Sequence, residues 1–452
     1  MITPIGVVTL ALCLALLFVP VRYSIICFTC SLLLGAAAAF VLGGSGNIQP
    51  SHVLLVPLAI QIARGRYFPQ DLAQVSQFPR PAFWLFTFVA YGVICSMLMP
   101  RLFSGVTEIY SIGSTKYGPP STVPVPLTPT SGNINQAVYL TSDLACFLLI
   151  YSFCGTRDNL IFLARTVILF AGLNAMFAAL DFLTSITGTA FLLDPIRNAE
   201  YDLHLEENVG GLRRIVGSFT ETSLFSFHTV GAFAYNFSLW LSGRWPRVSF
   251  TCAIISLALL LLSTSGTAYA AVAPVLAVFY FFCMYMAARG ECTRNAALFL
   301  VVGPILSIAI LLYVLMNDSI RNTLNDFISA TVLSKSLSES GIERAKWNAL
   351  GMRNFYETYF LGSGLGSTRT SSWVIAVLAS TGIPGAIAMC SFFWTIAVDR
   401  ARGENVVNDI RRAARFACFS YIVGGALSFS LVDLRLPFFV LAAMACAKPV
   451  ER

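Results

Sequence analysis

The sequence predicts an all-α, multi-pass integral membrane protein. Of its 452 residues, 57% are hydrophobic and 11% are charged, whereas an ordinary soluble domain carries about 25% charged residues. The apolar residues form long runs, separated by short groups that contain charge, proline or glycine, as in helices that cross a bilayer. A soluble fold could not bury this much apolar surface. These observations exclude a soluble enzyme, a nucleic-acid-binding domain, a disordered chain and a disulfide scaffold.

Thirteen apolar runs are candidate membrane spans, and we therefore predict 12 or 13 transmembrane helices. The runs cover residues 2–19, 23–42, 52–63, 82–99, 137–154, 160–186, 219–241, 248–264, 268–288, 296–316, 373–398, 413–431 and 436–447. The third and the last are shorter than the roughly 20 residues that a helical span needs. If the third run crosses, the protein has 13 spans and an outer N-terminus; if it does not, there are 12 spans and an inner N-terminus.

Arginines in the short loops predict the orientation of the spans. The basic positions are Arg64, Arg66, Arg80, Arg157, Arg244, Arg247, Arg289, Arg294, Arg400, Arg402, Arg411, Arg412 and Arg415. Loops rich in arginine lie on the cytoplasmic side, so the longer segments at about 100–136, 187–218 and 317–372 are predicted to be extracytoplasmic. We divide the chain into 1–199, with a Pro-, Ser- and Thr-rich outer loop at about 100–136, and 200–452, with the large outer loop.

The positions of the cysteines and of the charged residues indicate which cofactors and partners the protein can have. Of the 12 cysteines, all but Cys292 lie within apolar runs, where thiols act as small hydrophobic groups. No pair stands beside histidine at metal-ligand spacing, so we expect no metal, no cofactor and no disulfide framework. The net charge of +7 comes from short loops, which indicates contact with lipid headgroups and no binding of nucleic acid.

Ionisable residues within spans are costly, and each is therefore a candidate functional residue. The chain has few of them: Asp143, Arg165, Asp181, Glu221 and His228. Arg165 can extend to the cytoplasmic interface, and Asp181 lies near the outer end of its span, so we favour structural roles for both. The charged outer segments then become the main candidates for the functional site.

The first candidate segment is 211–223, where a predicted outer loop enters a span. Arg213 and Arg214 stand just outside the membrane, and guanidinium groups bind phosphate oxygens in a bidentate manner. Glu221 lies at the interface, where partial desolvation would favour a role as general base. The alternative is structural, because Ser218-x-x-Glu221 before an apolar run is also the pattern of a helix capping box.

The second candidate segment is an amphipathic helix, predicted from Ile342 to about Tyr356 in the large outer loop. Arg344 and Trp347 share one face, and an indole ring is suited to stacking on a sugar. Arg353 lies nine residues after Arg344, about 900° of rotation, so we expect these two guanidinium groups on opposite faces. The alternative is a helix that only lies on the membrane surface.

A glycine-rich segment follows this helix. Gly362, Gly364 and Gly366 fall within five residues, which allows close approach of the backbone and exposes amides to an anion or a sugar. The segment lacks the surroundings of a dinucleotide-binding loop or a Walker A loop. We therefore include these glycines among the candidate substrate-binding residues.

Three groups of motifs together resemble the superfamily of O-antigen ligases and Wzy-type polysaccharide polymerases. They are Arg214-x-x-Gly217-x-Phe219-x-Glu221-x-Ser223, Leu262-Ser263-Thr264-Ser265-Gly266-Thr267, and Arg344-x-x-Trp347 followed by Gly362-x-Gly364-x-Gly366 and Thr381-Gly382-Ile383-Pro384-Gly385. Their order and spacing fit the superfamily over about residues 200–390. The first 200 residues match only as apolar spans.

The resemblance implies a metal-independent glycosyltransferase of the C type in the bacterial inner membrane. Its substrates would be oligosaccharide repeat units on undecaprenyl pyrophosphate, polymerised into exopolysaccharide or O-antigen at the outer face. The expected catalytic residues are Glu221, Arg214 and Arg344, and the expected substrate-binding residues are Arg213, Trp347, Arg353, Gly362, Gly364 and Gly366. Membrane lipids, a chain-length regulator and a flippase of the same pathway are the other expected partners.

Two departures from the superfamily favour a polymerase over a ligase. Ligases carry a histidine in the late outer loop, where this sequence has none, and many have Ser-Arg where this chain has Ser265-Gly266. An O-antigen ligase that transfers glycan to lipid A core is the alternative. A transporter or flippase for a lipid-linked glycan is a further alternative, disfavoured because the charges cluster in outer loops rather than at mid-membrane. A non-catalytic subunit of an export complex is the third.

Overall fold

The computed structural model describes residues 1–42, 46–120, 122–199, 208–209, 212–319, 321–322, 325, 339–398 and 404–450. Helices make up 72% of the structure and there is almost no sheet, which confirms the all-α prediction. The helices are α1 Pro4–Leu16, α2 Val21–Ser31, α3 Pro50–Ala63, α4 Phe68–Val75, α5 Pro81–Leu102, α6 Ser131–Phe153, α7 Arg157–Ile186, α8 Thr222–Leu241, α9 Pro246–Leu262, α10 Gly266–Ala288, α11 Arg294–Met316, α12 Glu339–Glu357, α13 Trp373–Val398, α14 Asn405–Ser428 and α15 Leu436–Cys446. A 3₁₀ helix covers Ala190–Ile196.

Among the described residues, six helices are long and apolar enough to cross a membrane: α5, α6, α7, α10, α11 and α13. Four further apolar helices, α1, α3, α9 and α15, are shorter. Each of the thirteen predicted runs overlaps a helix. The chain is therefore a multi-pass membrane protein, and the predicted total of 12 or 13 crossings depends on the helices outside the group of six.

The part of the chain that the structure describes contains three small sheets, each an antiparallel pair of strands. Their strands are β1 Phe40–Leu42 with β2 Gly46–Ile48, β3 Glu108–Ile109 with β4 Val125–Pro126, and β5 Asn208–Val209 with β6 Leu212–Arg213. Phe40 is opposite Ile48, Glu108 opposite Pro126, and Asn208 opposite Arg213. The second and third hairpins lie in predicted outer segments, where they shape loops that the sequence describes only as extended.

The second predicted span is helical over only about half of its length. Helix α2 ends at Ser31, and residues 36–39 are non-helical although each is fully buried. The amide of Ala36 donates to the carbonyl of Ser218 (3.0 Å), and the amide of Ala39 donates to Ile48 (2.8 Å). Irregular backbone at membrane depth is tolerated when other protein segments satisfy its polar groups. The expectation of one continuous span over 23–42 is corrected accordingly.

Helix α8 lies at the centre of the bundle. Every one of its residues from Thr222 to Leu241 is buried, and it packs mainly against α14 and α9. Helix α15 is also buried over its whole length. The main hydrophobic core draws side chains from Leu16 to Ala447, so both predicted sequence regions contribute to one core.

Candidate functional site

A cavity of about 780 Å³ opens where α6 and α8 begin and α14 ends. All three predicted outer segments supply side chains to its wall. Arg214 comes from the segment before α8, Glu221 from the N-cap position of α8, and Arg344 and Trp347 from α12. The structure therefore brings together residues that are about 130 positions apart in the sequence.

The segment that carries Arg214 is held in place by Asp181 of α7. One carboxylate oxygen of Asp181 accepts hydrogen bonds from the amides of Val216 (2.9 Å) and Gly217 (3.1 Å). Gly217 has φ 62°, a value that favours glycine because it has no side-chain carbon to clash. The hydroxyl of Ser218 donates to the carbonyl of Leu33 (2.6 Å). These contacts fix the backbone of residues 216–218, and Arg214, just before them, lines the cavity.

Arg213 is engaged elsewhere and does not line the cavity. Its guanidinium donates to the carboxylate of Asp181 (3.2 Å), and Arg197 binds the same oxygen (2.7 Å). The side chains of Asp181 and Arg197 are 1% and 4% exposed. In the structure, Arg213 thus stabilises the loop, and its predicted contact with substrate stays a prediction. Asp181 has the structural position that the sequence favoured.

The capping box predicted at the start of α8 is not formed. The helix begins at Thr222, Glu221 itself occupies the N-cap position, and no side chain caps the helix there. Ser218 is instead bonded to Leu33. The carboxylate of Glu221 accepts a hydrogen bond from the hydroxyl of Ser223 and faces the cavity. The position of Glu221 therefore leaves its carboxylate available for chemistry.

The wall opposite Glu221 includes one face of α12. This helix extends back at least to Glu339 rather than starting at Ile342. The side-chain oxygen of Asn348 accepts a hydrogen bond from the amide of Ser371 (2.7 Å). That bond ties α12 to the segment that precedes α13, and it fixes the rotation that presents Arg344 and Trp347.

Arg353 lies outside the cavity lining, as its nine-residue spacing from Arg344 predicts. Its side chain is 55% exposed and forms ion pairs with Glu357 (2.8 Å) and Glu108 (3.7 Å). A hydrogen bond from Thr107 and the pairing with Arg353 hold the pKa of Glu357 below its ordinary value. The structure gives Arg353 a surface role, and its substrate-binding role stays a prediction.

Gly362, Gly364 and Gly366 pack against neighbouring backbone and do not line the cavity. A side-chain carbon on Gly362 would come within 2.6 Å of Ser380, one on Gly364 within 2.7 Å of Pro100, and one on Gly366 within 2.6 Å of Gly132. The amides of Ser363 and Gly364 donate to carbonyls of α13 (2.7 and 3.1 Å). Close packing explains this glycine pattern without a ligand.

The other motifs of the resemblance form hydrogen bonds with the rim of the cavity or with the segments around it. The first turn of α10 is bonded to the rim of the cavity, because the hydroxyl of Thr267 donates to that of Ser428 (2.8 Å), a lining residue. Gly382 interrupts α13 with φ 60°, and Ile383 donates to the carbonyl of Phe360 (2.9 Å). Asn133 of α6 donates to the carbonyl of Leu365 (2.7 Å).

Two lining arginines were missed by the sequence analysis. The guanidinium of Arg369 lies 5.1 Å from the ring centre of Trp347, and its amide donates to Tyr110 (2.8 Å). Arg435 stands between α14 and α15 with φ 71°, which is costly for a residue other than glycine. The cation over Trp347 covers one face of the ring on which a sugar was expected to stack.

The charge of the cavity suits an anion joined to a polyhydroxylated group. Among the described residues, the cavity lining includes four arginines, Arg214, Arg344, Arg369 and Arg435, and two acidic residues, Glu221 and Glu343. Asparagine, glutamine, tyrosine, serine and threonine side chains complete the polar wall. A volume of about 780 Å³ is within the range of sites for organic ligands of several hundred daltons.

Groups of three or more metal-ligating side chains are not found among the described residues. His204, in the earlier outer segment, lies outside the described residues. No model of a known protein family matches the sequence, and no curated protein matches it.

Proposed function

We propose that this protein polymerises oligosaccharide repeat units carried on polyprenyl pyrophosphate, at the outer face of a bacterial inner membrane. The observation that carries the proposal is the cavity in which four arginines and Glu221 meet at the ends of apolar helices. A lipid-linked pyrophosphate sugar has the two properties that this wall selects: a compact negative charge and a set of hydroxyls. The resemblance of the motifs at Arg214, Glu221 and Arg344 supports the same class.

In the proposed reaction, a hydroxyl of the acceptor sugar attacks the anomeric carbon of the donor glycan. The bond from that carbon to the pyrophosphate oxygen breaks, and the electron pair leaves with the lipid pyrophosphate. Glu221 takes the proton of the attacking hydroxyl. Arg214 and Arg344 stabilise the charge that grows on the leaving oxygen, and they hold the two reacting groups in line.

Synthesis in vitro tests the proposal. The full-length protein in detergent receives lipid-linked repeat units in the presence of a chelator, and the products are separated as a ladder. We expect elongation by the wild-type protein and a loss of about 10²–10³-fold in rate for Arg214→Ala and Arg344→Ala, as for removal of one preorganised donor. Glu221→Gln removes the proton acceptor and is expected to lower the rate about 10²–10⁴-fold.

Arg353→Ala is the matched control, because it removes an arginine from the same helix on the side away from the cavity. Its ion pairs are solvent-exposed and contribute little, so elongation should change by less than about fivefold. Equal rates for Arg344→Ala and Arg353→Ala would contradict the arginine assignment. If glycan is transferred only to added lipid A core, the protein is a ligase. If it is transferred neither to another repeat unit nor to lipid A core, a transport function is favoured.

A further inference from the structure

One wall of the cavity is formed by a single face of α6 and differs from the walls that carry arginine. The lining residues from this helix are Gly132, Asn135, Gln136 and Tyr139. The last three follow Gly132 by three, four and seven positions, a spacing that places all of them on one face of a helix. None is a charged residue type, whereas the lining arginines come from other segments. The α6 face therefore offers neutral amide groups to a molecule in the cavity.

Gln136 on this face has a hydrogen-bonding atom that the protein itself does not use. The residue is 4% exposed, and its side-chain oxygen has no partner among the described residues. A buried polar atom without a partner lowers the stability of the folded protein. At the wall of a cavity, such an atom is explained if a bound molecule supplies the missing donor. A hydroxyl group is a donor of this kind.

A second lining residue has the same property. Thr222, the first residue of α8, is 2% exposed, and its hydroxyl has no partner within the described part of the chain. A hydroxyl can donate and accept, whereas the side-chain oxygen of Gln136 only accepts. The two residues together therefore suit a ligand whose groups do both, as sugar hydroxyls do. The oxygens of a pyrophosphate diester only accept, so they leave the oxygen of Gln136 without a donor.

Hydrogen bonds on both sides of Gln136 hold the α6 wall in place. Before it, the side-chain amide of Asn133 donates to the carbonyl of Leu365 (2.7 Å). After it, the hydroxyl of Tyr139 donates to the carbonyl of Asn47. These bonds attach α6 to two segments that are distant in the sequence. A binding group on a wall that is already fixed loses little conformational entropy when a ligand binds.

We propose that the α6 face, with Gln136 and Thr222, is a subsite for a sugar ring of the lipid-linked substrate. The inference rests on the proposed function, because that function supplies the sugar. In this arrangement the arginines bind the pyrophosphate and the neutral amide and hydroxyl groups bind the sugar. Since the two parts of the substrate contact different side chains, loss of the sugar contacts should leave binding of the lipid pyrophosphate unchanged.

Calorimetry with the full-length protein in detergent tests the subsite with two kinds of probe. One is a short-chain polyprenyl pyrophosphate without sugar. The other is the same lipid pyrophosphate carrying glucose, galactose or N-acetylglucosamine, and the sugar that the wild-type protein binds most tightly is used for the variants. The wild-type protein should bind this second probe more tightly than the first.

Gln136→Met removes the amide and keeps the length of the side chain. Its affinity for the sugar-bearing probe should fall about 3- to 10-fold, as for the loss of one hydrogen bond, and its affinity for the sugarless probe should stay within about twofold. Thr222→Val keeps the shape of the side chain and should have the same selective effect. The matched control is Thr141→Val on α6, an exposed residue whose hydroxyl is bonded to the carbonyl of Ala137 (2.8 Å), and it should change neither affinity.

Thermal unfolding provides a readout that a purely structural role of Gln136 would not match. Because the buried oxygen has no partner in the described structure, its removal should not lower the Tm of Gln136→Met. A lower Tm together with an equal loss of affinity for both probes would show a structural role and overturn the inference. Equal binding of the two probes by the wild-type protein, or an unchanged affinity of Gln136→Met for the sugar-bearing probe, would also overturn the inference alone. Failure of the wild-type protein to bind either probe would overturn the proposed function with it.

Discussion

Asp181 shows how one buried side chain organises a loop that carries a candidate catalytic residue. It binds Arg197, Arg213 and the amides of Val216 and Gly217 at once, and the last three of these lie within three residues of Arg214 in the sequence. All the donors come from a segment that the sequence presents only as an outer loop. The two adjacent arginines therefore have different positions in the structure. Arg213 pairs with Asp181, whereas Arg214 lines the cavity.

Removal of Asp181 should destabilise the protein strongly. Asp181→Ala leaves the guanidinium of Arg197 buried without its counter-ion, a situation that costs about 3–5 kcal/mol. The measurement is thermal unfolding of the purified protein in detergent. Asp158→Ala on the same helix is the control, because that side chain is 78% exposed in a weak 3.9 Å ion pair. A comparable fall in Tm for both variants would show that Asp181 does not hold the loop.

Arg369 and Arg435 show which part of the site the sequence does not reveal. No pattern of neighbours marks either residue, because each reaches the cavity through contacts with distant segments. Arg369 is held by the carbonyl of Tyr110, more than 250 positions away, and Arg435 is positioned by an unusual backbone angle. Spacing along one helix predicts a shared face, as for Arg344 and Trp347, but it cannot predict which loops meet.

At the scale of elements, apolar runs predict where helices occur better than where they end. All thirteen runs coincide with helices, yet α2 stops at Ser31 in the middle of an apolar run. The alanines at 36–39 are apolar and good helix formers, and the amides of Ala36, Ala38 and Ala39 bond to distant segments instead of continuing the helix. The Ser218-x-x-Glu221 pattern allows a capping box that would start α8 just after Ser218, but the helix starts at Thr222 because Ser218 bonds to Leu33 instead.

The glycine-rich loop is another element whose role depends on its neighbours. Gly366 and Gly105 both have positive φ, 79° and 76°, so both pay the same conformational cost when replaced by alanine. They differ in surroundings, because a side-chain carbon at Gly366 would clash with the carbonyl oxygen of Gly132, whereas nothing lies within 4 Å at Gly105.

This pair provides a test of the packing role of the loop. Gly105→Ala should cost about 1 kcal/mol from its backbone angle, and Gly366→Ala should cost more, because α6 and the loop must move apart. Thermal unfolding of the two purified variants compares these costs directly. If Gly366→Ala unfolds at the same temperature as Gly105→Ala while losing binding of the lipid-linked probe, the loop contacts ligand rather than packing against α6.

At the scale of the whole molecule, the composition is sufficient to predict a multi-pass helical membrane protein, because few other folds tolerate so little charge. The position of the cavity is explained by the order of the membrane helices and loops. The segments at 100–136, 187–218 and 317–372 are separated by membrane helices, and the alternation of basic loops assigns them to one side. Side chains from all three then line a single cavity, an arrangement that requires these segments to lie on the same side of the bundle.

Labelling of single introduced cysteines tests that orientation. Lys116 and Arg66 are both exposed and are separated by α5, one of the six helices able to cross a membrane. We expect a membrane-impermeant maleimide to label Lys116→Cys in intact cells of a bacterial host, and Arg66→Cys only after permeabilisation. The parent protein, with its 12 natural cysteines, gives the background. Labelling of Arg66→Cys alone in intact cells would put the arginine-lined cavity on the cytoplasmic side, where an outer-face polymerase could not work.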